Sequence, residues 1–168
     1  MTLWLVRAGM HGEREELALE NDIAVIGWDE LPDVTGIADR SELTSLIEET
    51  YPEASLNTRM NWESQVWPFI RVITEGDLVA LPLKGRSAIA LGRVTGPYRY
   101  RNDLAGVHHT RPVKWLTEKQ RSASDQDLLF AHMICASVNT GPEPNELFDH
   151  LRENDVIDVA QHDRLARS

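Results

Sequence analysis

The chain has 168 residues and a formal net charge of -10, with 42% hydrophobic and 26% charged residues. This length suits one domain, and the ordinary globular composition argues against disordered and membrane-embedded classes. No apolar stretch reaches the roughly 18 residues of a membrane span, and Arg7 interrupts the short apolar N-terminus, so we expect a cytoplasmic protein without a membrane partner.

The charge is unevenly distributed along the chain. Residues 80–121 carry nine Lys and Arg against two acidic residues, about +7, so the remainder carries about -17. The overall acidity argues against indiscriminate nucleic-acid binding, because most of the surface repels phosphate. The basic segment therefore predicts one localised positive face that orients a partner.

The first part of the chain predicts short alternating elements. Residues Thr2 to Ala8 form a strand that is apolar on both faces and is therefore central in its sheet. A short helix over 14–21 leads into a second strand, Asp22 to Trp28. The Pro, Gly and Asp content of residues 29–39 is typical of a connection.

Two helical patterns follow this connection. The first begins with Ser41 as N-cap and ends before Pro52. The second is interrupted by Pro68, which lacks an amide hydrogen and pushes Trp67 away from helical angles. We expect either a kink or two short helices that meet at Trp67.

The middle of the chain predicts strands, and its last part predicts helices. The strands are Asp77 to Leu83 and Ser87 to Val94, joined as a hairpin across the basic tip 84–86, and Val107 to Leu116. The helices are 125–137 and 145–154. This order favours an α+β fold with a small, curved sheet or barrel and helices around it. We assign residues 1–135 to the domain and 136–168 to a helical extension or the start of a linker.

Signatures of catalysis are absent from the sequence. There is no phosphate-binding loop, no HExxH and no GxSxG, and no acidic residue stands two positions before a lysine, as a common nuclease metal site requires. His108 and His109 are adjacent in a strand and point to opposite faces, which is poor geometry for joint metal ligation. Cys135 is the one cysteine of the sequence, so it cannot form an internal disulfide, and we expect it in the core. We therefore expect no enzyme, no metal and no cofactor.

Tryptophans at element ends are the first candidates for ligand contact. Trp28 ends a strand after a glycine, and Trp67 lies at the proline break, where aromatic rings can surround a planar or methylated ligand. Trp62 lies on an apolar helical stripe and suits the core. Asp77 either caps a turn or contacts a ligand. In the extended stretch 98–101 we expect tyrosines toward the fold and arginines toward a partner.

Several short motifs, in one order, carry a family resemblance. The strings LWLVRAGMHGEREELALENDIAVIGWDELPD, WPFIRVITEGDLVALPLKGRSAIALGRVTGPYRYR, HHTRPVKWL and DQDLLFAHM resemble the N-terminal region of Mrr-like, modification-dependent restriction endonucleases. The order GD-V-LP, IALGRV-G-Y and R-V-W also resembles EVE, YTH and wider PUA-like domains. The resemblance covers residues 3 to about 133, and the later string ICASVNTGPEPNELFDHLREN departs from it.

The resemblance implies a compact β-barrel that reads a modified base in an aromatic pocket. Its implied partners are DNA with modified bases and a nuclease domain or subunit. The pocket candidates are Trp28, Trp62, Trp67, Asp77, Gly92 and His109. The candidates for backbone phosphate contact are Lys84, Arg86, Arg93, Arg99, Arg101, Arg111 and Lys114.

We therefore expect a non-catalytic reader of methylated DNA bases that serves a restriction or defence system by base flipping. Flipping costs a few kcal/mol, and one aromatic stack returns about 1–3 kcal/mol, so phosphate contacts must supply net affinity. Three alternatives stay open. They are an RNA-binding PUA-like module, a small-molecule-binding or enzymatic barrel using His109, Asp77 and Arg111, and a protein-interaction domain whose tryptophans are all core.

Overall fold

The computed structural model describes residues 2–9, 11–120 and 135–137. In these ranges the fold is α+β, as the sequence predicts. The strands are β1 (Leu3–Val6), β2 (Ile23–Ile26), β3 (Leu78–Leu83), β4 (Ala88–Val94), β5 (Arg99–Leu104), β6 (Val107–Gln120) and β7 (Cys135–Ser137). The helices are α1 (Glu15–Glu20), α2 (Arg40–Thr50) and α3 (Leu56–Trp67), which continues into a π-helical turn, Pro68–Val72. None of the described helices is long and apolar enough to cross a bilayer.

The strands form one mixed sheet in the order β2-β6-β4-β3-β1-β7, and β5 also pairs with β6. The predicted hairpin is confirmed, because β3 and β4 pair antiparallel around the 84–87 turn. The central position of β1 is confirmed as well, since β1 pairs in parallel with β3 and antiparallel with β7. All four β1 residues are buried.

The two faces of the sheet contribute to different hydrophobic clusters. In β2, Ala24 and Ile26 pack with α2, α3 and the π-helical turn, whereas Ile23 and Val25 pack with Ala18 of α1. This division follows from the alternation of side chains along a strand. Helices therefore cover both faces.

The sheet curls, so that β2 at one end and β1 near the other end share one cluster. Trp4 and Val6 of β1 join Ala24 and Ile26 of β2 in that cluster. Within the described residues, however, no strand pairing joins the two ends. The sheet is thus open there, and the barrel stays a prediction.

Local predictions about the two long helices need correction. Asp39, not Ser41, is the N-cap of α2, and its carboxylate accepts the amide hydrogen of Glu42 at 3.1 Å. Trp67 keeps helical angles, with φ -57° and ψ -49°, although it precedes a proline. The chain accommodates Pro68 by widening into the π-helical turn instead of breaking.

The predicted helix over 125–137 is wrong at its last three residues. Cys135–Ser137 form β7 instead, because they pair with the inner strand β1. The rest of that helix, the helix over 145–154 and residues 138–168 of the predicted extension 136–168 lie outside the described residues. The predicted domain boundary at 135/136 falls within β7. Cys135 itself is buried, as expected.

Candidate functional site

A cleft of about 540 Å³ lies where the connection after β2 meets the start of β5. Its lining residues are Asp33, Thr35, Tyr98, Arg99, Tyr100 and Arg101. This volume lies within the range of small-ligand sites. The lining residues are two tyrosines, two arginines, a threonine and an aspartate, which are residue types suited to a planar ligand that carries both anionic and hydrogen-bonding atoms.

The orientation predicted for residues 98–101 is partly seen. Tyr98 is buried, only 5% exposed, whereas Arg99 is exposed. Tyr100 is half-buried and lines the cleft together with the arginines. Asp33 and Thr35 were not predicted from the sequence, because both lie in a connection that only the fold brings next to β5.

His109 lies behind the cleft and connects it to Trp28. It is 1% exposed, whereas His108 is half-buried, so the predicted opposite faces are confirmed. The Tyr98 hydroxyl and His109 Nδ1 are 2.6 Å apart, and His109 Nε2 lies 3.1 Å from the Trp28 carbonyl oxygen. A carbonyl can only accept, so Nε2 carries the hydrogen and Nδ1 accepts from the tyrosine. Tyr100 contacts the same imidazole edge-to-face at 5.5 Å between centroids.

Acidification is expected to destabilise the fold through His109. Burial lowers the pKa of His109 from its usual 6.5, against the weaker effect of the Trp28 carbonyl. Below about pH 6.5 the unfolded chain therefore binds a proton that the folded chain does not, and the free energy of unfolding falls by at most about 1.4 kcal/mol per pH unit. Above that pH His109 is neutral in both the folded and the unfolded chain, so it no longer changes the free energy of unfolding with pH. The charged and titratable groups around the ring are Asp29, Asp33, Tyr98, Tyr100 and His108.

Thermal unfolding of the wild type and His109→Gln between pH 7.5 and 5.5 measures this contribution. The wild type should lose more stability than the variant over that interval, because the glutamine cannot titrate. Parallel pH profiles in the two proteins would show that His109 does not control the acid response.

Trp28 has a backbone conformation that is costly for a residue other than glycine. Its φ is +58°, and its carbonyl accepts the Leu31 amide at 2.9 Å as well as the His109 hydrogen. Such backbone strain is concentrated at functional sites. The Trp28 ring meets Trp62 edge-to-face at 6.5 Å, and Trp62 meets Tyr51 at 5.1 Å. Trp28 and Trp62 thus lie together, next to a tyrosine that the sequence analysis did not select.

Trp67 lies apart from the aromatic group formed by Trp28, Trp62 and Tyr51. Trp62 and Trp67 are five residues apart on α3, which places them about 140° apart around the helix axis. They cannot both face one pocket. Trp67 is half-buried against the main hydrophobic cluster.

Asp77 and Gly92 have structural contacts away from the cleft lining. The Asp77 carboxylate accepts the Thr2 amide, the Trp4 indole N–H and the Thr74 amide, each at 3.0 Å, so it caps the turn. A side chain at Gly92 would approach the Lys114 carbonyl oxygen to 2.9 Å. The close approach of β6 at a bulge explains this glycine.

The prediction that Arg111 contacts a phosphate is wrong. It is 4% exposed, its Nε donates to the Phe69 carbonyl, and its Nη1 donates to the Gly96 carbonyl at 3.3 Å. Burial lowers the pKa of Arg111 to about 10, which leaves it charged at neutral pH. Arg111 therefore joins the π-helical turn to the β4–β5 connection inside the protein.

The remaining basic candidates do not form one face. Ala88, next to the 84–87 turn, pairs with Gln120 of β6, whereas Arg99 pairs with Thr110. Ten residues of β6 separate these positions, which corresponds to roughly 30 Å of strand. Arg86 at the hairpin end forms an ion pair with Glu118. The predicted cluster is thus spread along β6, with Arg86 near one end, Arg99 near the other and Arg93 paired with Lys114 between them.

The basic candidates also differ in their partners. Arg101 forms an ion pair with Asp103, and Arg93 donates to the Gly76 carbonyl at 3.0 Å. Lys84 and Lys114 are exposed. In the part of the chain that the structure describes, no hydrogen bond or ion pair holds the side chain of Arg99, which makes it the cleft cation most available to a ligand.

Two arginines hold the connection that supplies one wall of the cleft. Arg14 forms an ion pair with Asp29 at 2.5 Å. Arg71 donates to the Ile37 carbonyl at 2.6 Å and to the Thr35 carbonyl at 2.5 Å. The cleft wall is therefore anchored before a ligand arrives, which reduces the ordering cost of binding.

Within the described ranges, no group of three His, Cys, Asp or Glu side chains is placed to hold a metal ion. A family model described as "Domain of unknown function (DUF8426)" matches residues 4–133. No curated protein matches the chain.

Proposed function

We propose that this chain, which belongs to the DUF8426 family, is a non-catalytic reader of modified DNA bases. In this proposal a base turned out of the duplex enters the cleft and stacks on Tyr100, while Arg99 and Arg101 hold the adjacent phosphates. The observation that carries the proposal is the cleft itself, where tyrosine and arginine residues lie together. Stacking and phosphate contact are the two requirements of such binding.

The geometry around Tyr100 supports its role as the stacking surface. His108 stacks on Tyr100 at 5.2 Å between centroids with an interplanar angle of 15°, and the His108 Nδ1 lies 2.8 Å from the Arg101 carbonyl oxygen. The Tyr100 ring is therefore held by His108 on one face and by the edge-to-face contact with His109, and Tyr100 lines the cleft. A rigid, pre-oriented ring stacks on a base at little entropic cost.

The proposal includes a PUA-like fold and a place in a restriction system. The curling of the sheet, with β1 and β2 in one hydrophobic cluster, supports the first. The resemblance of the motif order to the N-terminal region of Mrr-like endonucleases supports the second. A nuclease domain or subunit would then perform cleavage.

Binding to matched duplexes tests the proposal. One duplex is unmodified, one contains N6-methyladenine and one contains 5-methylcytosine, and each is titrated at several salt concentrations. We expect one methylated duplex to bind about fourfold more tightly, since a buried methyl group contributes about 0.8 kcal/mol. Equal affinity for all three duplexes would contradict modified-base reading, and tighter binding to a matched RNA would favour the RNA-binding alternative.

The salt dependence tests the position of the phosphate contacts. Arg99→Gln should weaken binding to every duplex and reduce the slope of log K against log salt by about one, as expected for one lost phosphate contact. Arg86→Gln is the matched control, because it removes the same charge at the other end of β6. If both variants changed the slope equally, the cleft would not be the phosphate site.

A further inference from the structure

Asp33 is the one acidic side chain in the lining of the cleft. Its Oδ1 accepts both the Thr35 amide, at 2.9 Å, and the Thr35 hydroxyl, at 2.5 Å. Its second oxygen, Oδ2, has no hydrogen bond within the described residues. The Thr35 hydroxyl, above all other contacts, lowers the pKa of Asp33. The carboxylate is therefore ionised at neutral pH and can only accept hydrogen bonds.

Asp33 is exposed, and the two hydrogen bonds from Thr35 orient its carboxylate. Arg71 in turn holds the Thr35 carbonyl at 2.5 Å. Asp33 lines the same cleft as the buried Tyr98. A phosphate would be repelled at this point, whereas an N–H donor on the edge of a planar ligand would be attracted.

We propose that Asp33 determines which base the cleft accepts, by receiving a hydrogen bond from an amino group on the base edge. This inference rests on the proposed function and names its ligand class: adenine, cytosine or guanine, and not thymine. The first three bases present N–H donors of an exocyclic amino group. Thymine presents carbonyl oxygens on both sides of a single N–H, and a carbonyl opposed to a carboxylate leaves two acceptors facing each other. N6-methyladenine and 5-methylcytosine both retain an amino hydrogen, so both remain acceptable.

The experiment uses short duplexes with one variable nucleotide placed opposite an abasic site. The missing partner lowers the cost of turning the base out, so the affinities report the base itself. For the wild type we expect A, C and G to bind about tenfold more tightly than T, in line with the net contribution of one hydrogen bond to a charged group.

Asp33→Asn tests the role directly. The amide keeps an oxygen for Thr35 and places an NH₂ donor where Oδ2 was, so T should gain affinity while A and C lose it, and the tenfold preference should disappear or reverse. Glu53→Gln is the matched control, because it removes the same charge outside the cleft lining and should keep the wild-type preference. Thermal unfolding of both variants establishes that they are folded.

The outcomes separate this inference from the proposed function. An unchanged preference in Asp33→Asn, or a wild type that favours T, would overturn the role of Asp33 while duplex binding stands. Failure of the wild type to bind any duplex would contradict the proposed function. If free 5′-monophosphates were then bound with the same preference for amino-bearing bases, and Asp33→Asn removed that preference, the role of Asp33 would stand for a free nucleotide.

Discussion

Replacing Tyr100 by leucine is expected to weaken binding to the preferred duplex by about 5- to 150-fold. Loss of one base–aromatic stack costs about 1–3 kcal/mol, and each 1.4 kcal/mol corresponds to a factor of ten. Tyr100→Phe keeps the ring and should bind within about twofold of the wild type, since the proposed contact with the base is made by the ring and not by the hydroxyl. Fluorescence anisotropy with a labelled duplex measures the affinity of the wild type and of both variants.

A second pair of variants compares the cleft with the aromatic group around Trp28. Trp28→Gly removes the indole, and glycine adopts the φ of +58° without strain, so this variant should fold more stably than Trp28→Ala. If the base stacks on Tyr100, both Trp28 variants should bind much better than Tyr100→Leu. A loss of affinity in Trp28→Gly as large as that of Tyr100→Leu would place the stacking surface at Trp28, as the sequence analysis predicts.

Replacing Arg111 by methionine is expected to lower the free energy of unfolding by about 2–4 kcal/mol. Methionine fills part of the space, but the Phe69 and Gly96 carbonyls lose their donor inside the protein, and each unsatisfied buried group costs about 1–3 kcal/mol. Removal of a buried charge offsets part of this loss. Urea unfolding followed by circular dichroism gives the value.

Arg99→Gln serves as the control for Arg111→Met. Arg99 is exposed, so its replacement should change the free energy of unfolding by less than about 0.5 kcal/mol while it weakens duplex binding. Arg111→Met should show the reverse: lower stability, with affinity retained at a temperature where the variant is folded. Weakened binding by a fully stable Arg111→Met would instead show that this arginine contacts the ligand.

Local patterns were sufficient for several features of the fold. The continuous apolar run of β1 predicted a strand with neighbours on both sides, because only a doubly covered strand can bury both of its faces. The opposite environments of His108 and His109 followed from the alternation of a strand. The β3–β4 hairpin followed from two apolar runs separated by a short polar turn. Each of these predictions rests on residues that are close in sequence.

Other features depended on contacts that are distant in sequence. Cys135–Ser137 resembles the end of an apolar helix, yet pairing with β1 makes it a strand. Trp67 keeps its helical angles because the chain widens into a π-helical turn, which the presence of a proline does not indicate. In both cases tertiary packing outweighs local preference.

The candidate site shows the same division between what the sequence determined and what only the tertiary structure decided. By itself the sequence determined the basic character of residues 80–121, and it identified Arg99 and Arg101 as candidate phosphate contacts, but it placed the neighbouring tyrosines toward the fold and assigned base stacking to Trp28 and Trp67. Only the tertiary structure decided that Arg111 is internal, since an arginine in a strand carries no local sign of the carbonyls that will surround it. Only the tertiary structure brought Asp33 to the cleft, because β6 pairs with both β2 and β5 and so places the connection after β2 next to residues more than sixty positions later in the chain. Charge and periodicity are properties of neighbouring residues, whereas a binding cleft arises from the packing of distant ones.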